Sequence, residues 1–168
     1  LNYRLPDGDL NKLLARTAPS VAIVDDDMIP RLSVHEGVTV VSRSAFDAAC
    51  KVVGDCEAQF LDADHDIAVQ LFTSGTTGEP KAAILRHSNL TSYVISTVEF
   101  LGAEDDEAAL VSVPPYHIAG ISAVLTGTYG GRRIVHLEAF TPEAWVEAAA
   151  AEAITHATVG RIHTRHDS

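Results

Sequence analysis

The stretch "LFTSGTTGEPKAAILRH" (residues 71–87) joins an apolar run to a glycine-rich loop and then to a second apolar run. Gly75 and Gly78 allow backbone conformations that strain other residues, so several consecutive N–H groups of the loop can turn toward one anion. Side-chain hydroxyls add further donors, namely those of Thr73, Ser74, Thr76 and Thr77. Lys81 adds a positive charge that favours phosphate. The stretch predicts a phosphate-binding loop that follows a β-strand.

The loop does not match the Walker pattern of P-loop kinases and NTPases. That pattern places Gly directly before its lysine and Ser or Thr directly after it. Here Pro80 precedes Lys81 and Ala82 follows it, so the hydroxyl that would hold magnesium is missing. We therefore reject a P-loop NTPase. For these residues alone, a Gly/Ser/Thr connection between two strands that binds nothing stays open as an alternative.

The flanking sequence predicts alternating strands and helices. Apolar or β-branched runs predict strands at 20–27, 38–42, 66–73, 108–116 and 132–138, with an extended segment at 80–85. The run at 108–116 is broken by Pro114 and Pro115. Capping residues and helical spacing predict helices at 44–53, 90–102, 118–131 and 141–154. The apolar run at 66–73 is typical of a buried strand in a parallel sheet. The order of elements favours an α/β fold with helices on the faces of a sheet.

Charge and composition exclude several classes of protein. The chain has 12 Lys plus Arg against 23 Asp plus Glu, a formal charge of -11, which disfavours nucleic acid as a partner. A hydrophobic fraction of 46% argues against a disordered chain. The acidic runs at 24–30, 61–68 and 102–109 are predicted to be solvated loops.

Cysteine and histidine spacing predicts no metal site. Cys50 and Cys56 have no second cysteine pair and no nearby histidine cluster, so we expect free thiols. His163 and His166 are three positions apart in a polar terminus, which is weak metal-site spacing. The first ten residues, "LNYRLPDGDL", resemble no secretory signal, and no run is long enough for a transmembrane segment. We predict a cytoplasmic location.

The nine residues "TSGTTGEPK" (73–81) resemble the signature loop of the adenylate-forming, or AMP-binding, superfamily. That superfamily includes acyl-CoA synthetases, firefly luciferase and the adenylation domains of peptide synthetases. Each position of its Ser/Thr-rich, Gly, Thr, Thr, Gly, any, Pro, Lys pattern is matched. Ala82 departs from the glycine that commonly follows the lysine. The segment "RHSNL" (86–90) also resembles the residues that follow the family's loop.

A second motif, "VPPYHIAG" (113–120), lies downstream. Its prolines stiffen the chain, Tyr116 and His117 place rings at a strand end, and Gly120 lets the next helix come close. A packed or capping role for His117 is the alternative from the residues alone. The motif resembles the segment with which acyl- and aryl-CoA synthetases line the carboxylate pocket. The resemblance implies that Tyr116, His117 and Gly120 belong to the substrate pocket, with His117 at its gate.

The resemblance implies a reaction with ATP, Mg2+ and coenzyme A. A carboxylate attacks the α-phosphorus of ATP to form acyl-AMP, and the thiol of coenzyme A then displaces AMP. The residues implied to hold the ATP phosphates are Thr73, Ser74, Gly75, Thr76, Thr77, Gly78 and Lys81. The segment 113–120 contains no acidic residue to hold an ammonium group. A carboxylic acid without an α-amino group is therefore favoured, and we expect a fatty acid.

The resemblance also implies how much of the family's enzyme this chain contains. We expect residues 1–159 to be a middle piece of the large N-terminal domain, a partial sheet-and-helix layer, and residues 160–168 to be a polar, disordered tail. Leu at position 1 suggests a piece of a longer protein, and no complete catalytic set is expected in it. The alternative is an inactive remnant that binds nucleotide weakly or serves as an interaction module. Uncovered apolar edges would favour self-association.

Overall fold

The computed structural model describes residues 1–52, 66–73, 80–137 and 139–159. The helices are α1 (Asp7–Ala15), α2 (Arg43–Cys50), α3 (His87–Thr97), α4 (Ile118–Gly130) and α5 (Pro142–Ala151). The strands are β1 (Ser20–Val24), β2 (Val38–Ser42), β3 (Ile67–Thr73), β4 (Lys81–Arg86), β5 (Ala108–Val111), β6 (Arg133–His136) and β7 (His156–Thr158). This alternation confirms the α/β class. No helix in the described ranges has the length and apolar content needed to cross a membrane.

The chain divides into two compact units, Leu1–Asp62 and Ala63–Ser168. In the first unit, β1 and β2 are the two strands predicted there, and they pair in parallel. Helix α1 was not predicted. It buries Leu10, Leu13 and Leu14, whose spacing places all three side chains on one helical face.

A 3-10 helix over Asp26–Arg31 follows β1 and supports the start of α2. The Ser42 Oγ accepts a hydrogen bond from the Ala45 N–H at 3.2 Å, and Asp26 accepts one from the Ser44 N–H at 3.1 Å. Hydrogen bonds from Ser44 lower the pKa of Asp26. Helix α2 thus begins one residue before the predicted start at Ser44, because the groups that cap it lie at Ser42 and Asp26.

The core of the second unit is a parallel three-stranded sheet in the order β6–β5–β7. The central strand β5 is buried along its whole length, and Leu110 is 1% exposed. Helix α4 packs against all three strands and also contacts α3. It ends at Gly130 and is capped by Gly131, whose φ of 80° lies in the left-handed region that glycine adopts without strain.

The partner of β3 differs from the prediction. The apolar run at 66–73 does form a strand, but it pairs antiparallel with β4 instead of lying in a parallel sheet. It is also only partly covered, with Ile67 54% exposed. The connection from Thr73 to Lys81 is too short for a parallel crossover, which needs a dozen or more residues, so the chain turns back as a hairpin. The extended segment predicted after Pro80 is confirmed as β4.

Helix α3 is shifted toward the N-terminus relative to its predicted range of 90–102. The Asn89 Oδ1 accepts a hydrogen bond from the Arg86 N–H at 2.9 Å, so the helix begins at His87. It ends at Thr97 because the following residues bond elsewhere: the N–H groups of Leu101 and Ala103 donate to carbonyls of Tyr129 and Gly130. Helix α5 begins as predicted, with the Thr141 Oγ1 accepting from the Ala144 N–H at 3.1 Å.

Candidate functional site

The hairpin β3–β4 holds the two ends of the glycine-rich loop together. Thr73 and Lys81 are directly opposite each other in the ladder, and the Thr73 Oγ1 donates to the Lys81 carbonyl oxygen at 3.3 Å. Both residues are exposed. The structure therefore brings together the first and last predicted phosphate-binding residues. The others lie outside the described residues, namely Ser74, Gly75, Thr76, Thr77 and Gly78.

The charge of Lys81 is not neutralised within the described part of the chain. Its ammonium group forms no ion pair with any carboxylate of residues 1–52, 66–73, 80–137 or 139–159. The hairpin thus places the exposed Lys81 directly opposite Thr73. A phosphate group attracts a lysine ammonium group of this kind.

The second predicted motif forms the turn between β5 and α4. The N–H of His117 donates to the Pro114 carbonyl at 3.0 Å, and the His117 carbonyl accepts from the Gly120 N–H at 3.0 Å. The rings of Tyr116 and His117 are 4.7 Å apart between centroids and tilted by 54°. Tyr116 is half-buried and His117 is exposed. The structure brings these two predicted pocket residues into one aromatic pair at the carboxyl end of β5.

The position of His117 argues against the alternatives of a packed or capping side chain. His117 is the N-cap residue of α4, yet its side chain makes no capping hydrogen bond. Its imidazole is exposed, so it does not serve as a core residue either. The ring is therefore accessible beside Tyr116, at the start of a helix.

Gly120 is buried and allows α4 to meet the preceding turn. A Cβ atom placed there would lie 2.5 Å from the Pro114 carbonyl oxygen and 2.6 Å from that of Val113. Real Cβ atoms do not approach backbone oxygens that closely, so any other residue would push the helix and the turn apart. Gly120 thus shapes the turn that carries Tyr116 and His117.

One residue of this turn was missed by the sequence analysis. The Ser112 Oγ donates to the Thr158 carbonyl oxygen at 3.1 Å and joins the turn to β7. No local pattern marks this serine, because its partner is 46 positions away in the chain. The contact exists only once β5 and β7 are paired.

An ion pair lies at the other end of the same sheet, where the parallel strands begin. The Arg132 Nε lies 2.6 Å from the Glu107 Oε2, and His156 Nδ1 lies 3.8 Å from that oxygen. The hydrogen bond and charge of Arg132 lower the pKa of Glu107. Glu107 precedes β5 and Arg132 precedes β6, so the pair ties together the amino ends of two strands.

The described residues contain no group of three or more His, Cys, Asp or Glu side chains that could hold a metal ion. Mg2+ prefers carboxylate and phosphate oxygens. Of the groups described above, only Thr73 and Lys81 come from the phosphate loop, and neither supplies a carboxylate. We therefore assign no magnesium ligand within these ranges.

Comparison with known proteins identifies the family to which this chain belongs. The model of the AMP-binding enzyme family matches residues 1–161. The chain belongs to the AMP-binding enzyme family. The relatives found in this family are acyl- and aryl-CoA ligases, which confirms the resemblance to the adenylate-forming superfamily.

Curated members of the AMP-binding family resemble most of this chain. A feruloyl-CoA synthase from Amycolatopsis sp is 33% identical over 92% of this chain and 31% of its own length. A 2-succinylbenzoate–CoA ligase from Bacillus licheniformis is 31% identical over 67% of this chain and 23% of its own. The chain thus spans about a third, or less, of the curated relatives it matches.

Solved structures of the AMP-binding family share the fold. The N-terminal domain of FACL13 from Mycobacterium tuberculosis superposes with a TM-score of 0.80 at 17% identity, covering 94% of this chain and 42% of that chain. O-succinylbenzoate coenzyme A synthetase from Bacillus subtilis, solved in complex with ATP and magnesium ion, gives 0.77 at 20% identity. That match covers 95% of this chain and 33% of the synthetase. The α/β architecture is therefore that of an adenylate-forming N-terminal domain.

Proposed function

We propose that residues 1–159 contribute to an enzyme that activates an aromatic or related carboxylic acid with ATP and joins it to coenzyme A. The observation that carries the proposal is the pairing of Thr73 with Lys81, which closes the signature loop of an AMP-binding chain between two strands. We place the polar residues 160–168 outside this domain. Membership of the family supports ATP, Mg2+ and coenzyme A as the reactants and metal ion.

The proposed loop acts in the first step. A carboxylate oxygen forms a bond to the α-phosphorus of ATP, the bond to pyrophosphate breaks, and acyl-AMP results. Amide and hydroxyl donors of 73–78, with the Lys81 ammonium, stabilise the negative charge on the departing pyrophosphate. Bound Mg2+ would neutralise further phosphate charge. In the second step the sulfur of coenzyme A forms the thioester bond, the thiol proton is lost, and AMP leaves.

The aromatic pair Tyr116–His117 supports an aromatic acid. Tilted rings favour an aromatic group placed against them. The segment 113–120 has no carboxylate for a substrate ammonium, which disfavours amino acids. The names of the relatives, feruloyl-CoA synthase and 2-succinylbenzoate–CoA ligase, point the same way. The fatty acid expected from the sequence is tested by none of these observations, and the exchange experiment below compares the two classes of acid.

Acid-dependent exchange of pyrophosphate into ATP tests the proposal on the full-length gene product. We expect aromatic acids such as ferulate to exceed fatty acids by about tenfold or more in kcat/KM, with no exchange for amino acids. Preferential exchange with amino acids would contradict the proposal. ATP binding without exchange for any acid would favour the alternative of an inactive nucleotide-binding module.

A pair of tyrosine variants tests the role of Tyr116. Tyr116→Ala should raise the KM for the acid about tenfold, because one face of the aromatic contact is lost. Tyr93→Ala removes a partly exposed tyrosine from α3 and should leave that KM unchanged. Equal KM values for the acid in Tyr116→Ala and in the wild type would show that Tyr116 does not line the acid pocket.

A further inference from the structure

Ser112 links the turn that carries Tyr116 and His117 to a neighbouring strand. Val111 and Thr158 are the last paired residues of β5 and β7, and Ser112 follows directly. Its hydroxyl donates to the Thr158 carbonyl at 3.1 Å, and both residues are half-buried. The bond therefore fixes the first residue of the turn to the end of the adjacent strand.

The other end of the turn is fixed by α4. The His117 N–H is bonded to the Pro114 carbonyl, and Gly120 packs against the same backbone. Between the two fixed ends stand Pro114 and Pro115, whose rings restrict φ to near -65°. A segment this stiff passes a displacement at Ser112 on to the Tyr116 and His117 rings instead of absorbing it.

We propose that Ser112 is a positioning residue that, through its bond to Thr158, sets where the Tyr116–His117 pair lies. Its effect on acid binding rests on the proposed function. Its effect on the positions of the two rings does not depend on the proposed function and can be measured on this chain alone. In this scheme Ser112 acts through the backbone of the turn.

The first test reads the positions of the rings. Ring resonances of Tyr116 and His117, observed by 1H–13C NMR, should shift in Ser112→Ala and return toward wild type in Ser112→Thr, which keeps a hydroxyl. Ser96→Ala is the matched control, since the Ser96 hydroxyl also donates to a backbone carbonyl, that of Tyr93 at 3.0 Å, but within α3. The control should leave both rings unchanged. Unshifted rings in Ser112→Ala would overturn the proposal.

Ser112→Cys keeps the test decisive if the alanine variant folds poorly. A thiol is a weaker donor than a hydroxyl, so this variant should give ring shifts in the same direction as alanine but smaller. Wild-type resonances in a folded Ser112→Cys variant, with no change at either ring, would count against positioning by this bond.

The second test separates positioning from general stability in the full-length enzyme. Ser112→Ala should raise the KM for the aromatic acid about two- to tenfold, the range expected for one hydrogen bond, and leave the KM for ATP unchanged. An equal rise in both KM values would contradict the proposal. A wild-type enzyme that exchanges with no acid would refute the proposed function, while the ring resonances would still decide the role of Ser112.

Discussion

Gly120 lies where the backbone of a turn and a helix come closest. An added Cβ would lie 2.5 Å from the Pro114 carbonyl oxygen, and neither backbone segment can yield as a flexible side chain would. Gly120→Ala should therefore lower the free energy of unfolding by about 1–3 kcal/mol, as overpacking does in well-packed interiors. Urea unfolding followed by circular dichroism measures the change.

Gly8 provides the control for this substitution. It also lies in a helix, α1, but apart from its own helix no atom of the described residues lies within 4 Å of where its Cβ would be. Gly8→Ala should leave stability unchanged or raise it by up to about 1 kcal/mol, since alanine favours helix more than glycine does. If Gly120→Ala matched the wild type in stability, the close approach described at this residue would be wrong.

The role of a single residue could be predicted from the sequence where that role depends only on residues close to it in the chain. Thr141 acts on the start of its own helix, so the local sequence predicted this cap. The close approach at Gly120 followed from its place after a proline turn. No sequence pattern indicated a role for Ser112, because its partner, Thr158, is brought near only by the pairing of β5 with β7.

At the level of elements, the sequence predicted strands better than their partners. The apolar run of β3 shows that it is extended, yet a run of apolar residues does not specify a parallel or an antiparallel neighbour. Helix α1 was missed because its polar first turn contains Gly8, a poor helix former. Its stability comes from burying three leucines, a tertiary effect that helix propensity does not contain.

The ion pair Glu107–Arg132 predicts how acid affects the start of β5 and β6. Arg132 lowers the pKa of Glu107 from its ordinary value of 4.5. A lowered pKa in the folded state contributes stability that is present in full above the ordinary value and is lost as pH falls through the lowered one. Glu107→Gln should therefore be less stable than wild type at pH 7 and lose less stability as pH falls below the ordinary value of 4.5.

A second glutamine substitution separates this pair from general charge effects. Glu147 is exposed on α5 and forms no ion pair within the described ranges. Glu147→Gln should show the same loss of stability on acidification as the wild type in urea titrations at each pH. An acid response of Glu107→Gln that equals that of Glu147→Gln would show that Arg132 does not act on Glu107.

At the scale of the whole molecule, exposed apolar side chains predict self-association. Val21 is 66% exposed and Ile23 is 48% exposed, and both lie on one face of β1. Exposed apolar faces of strands favour contact with other chains. The average mass measured by light scattering should rise with concentration, and the double substitution of Val21→Thr with Ile23→Thr should reduce the rise. A constant monomer mass at high concentration would contradict this prediction.

The central claim is that the molecule holds ATP phosphates in the loop closed by β3 and β4. Isothermal titration of the chain with ATP tests it most directly, comparing wild type with Lys81→Ala and with Lys51→Ala, which removes an equal charge from an exposed position in the other unit. Losing a charge-assisted contact worth about 1.5–3 kcal/mol should weaken ATP binding about 10- to 150-fold in Lys81→Ala. The Lys51→Ala variant should bind as the wild type does. Equal affinity of Lys81→Ala and wild type for ATP would contradict the account.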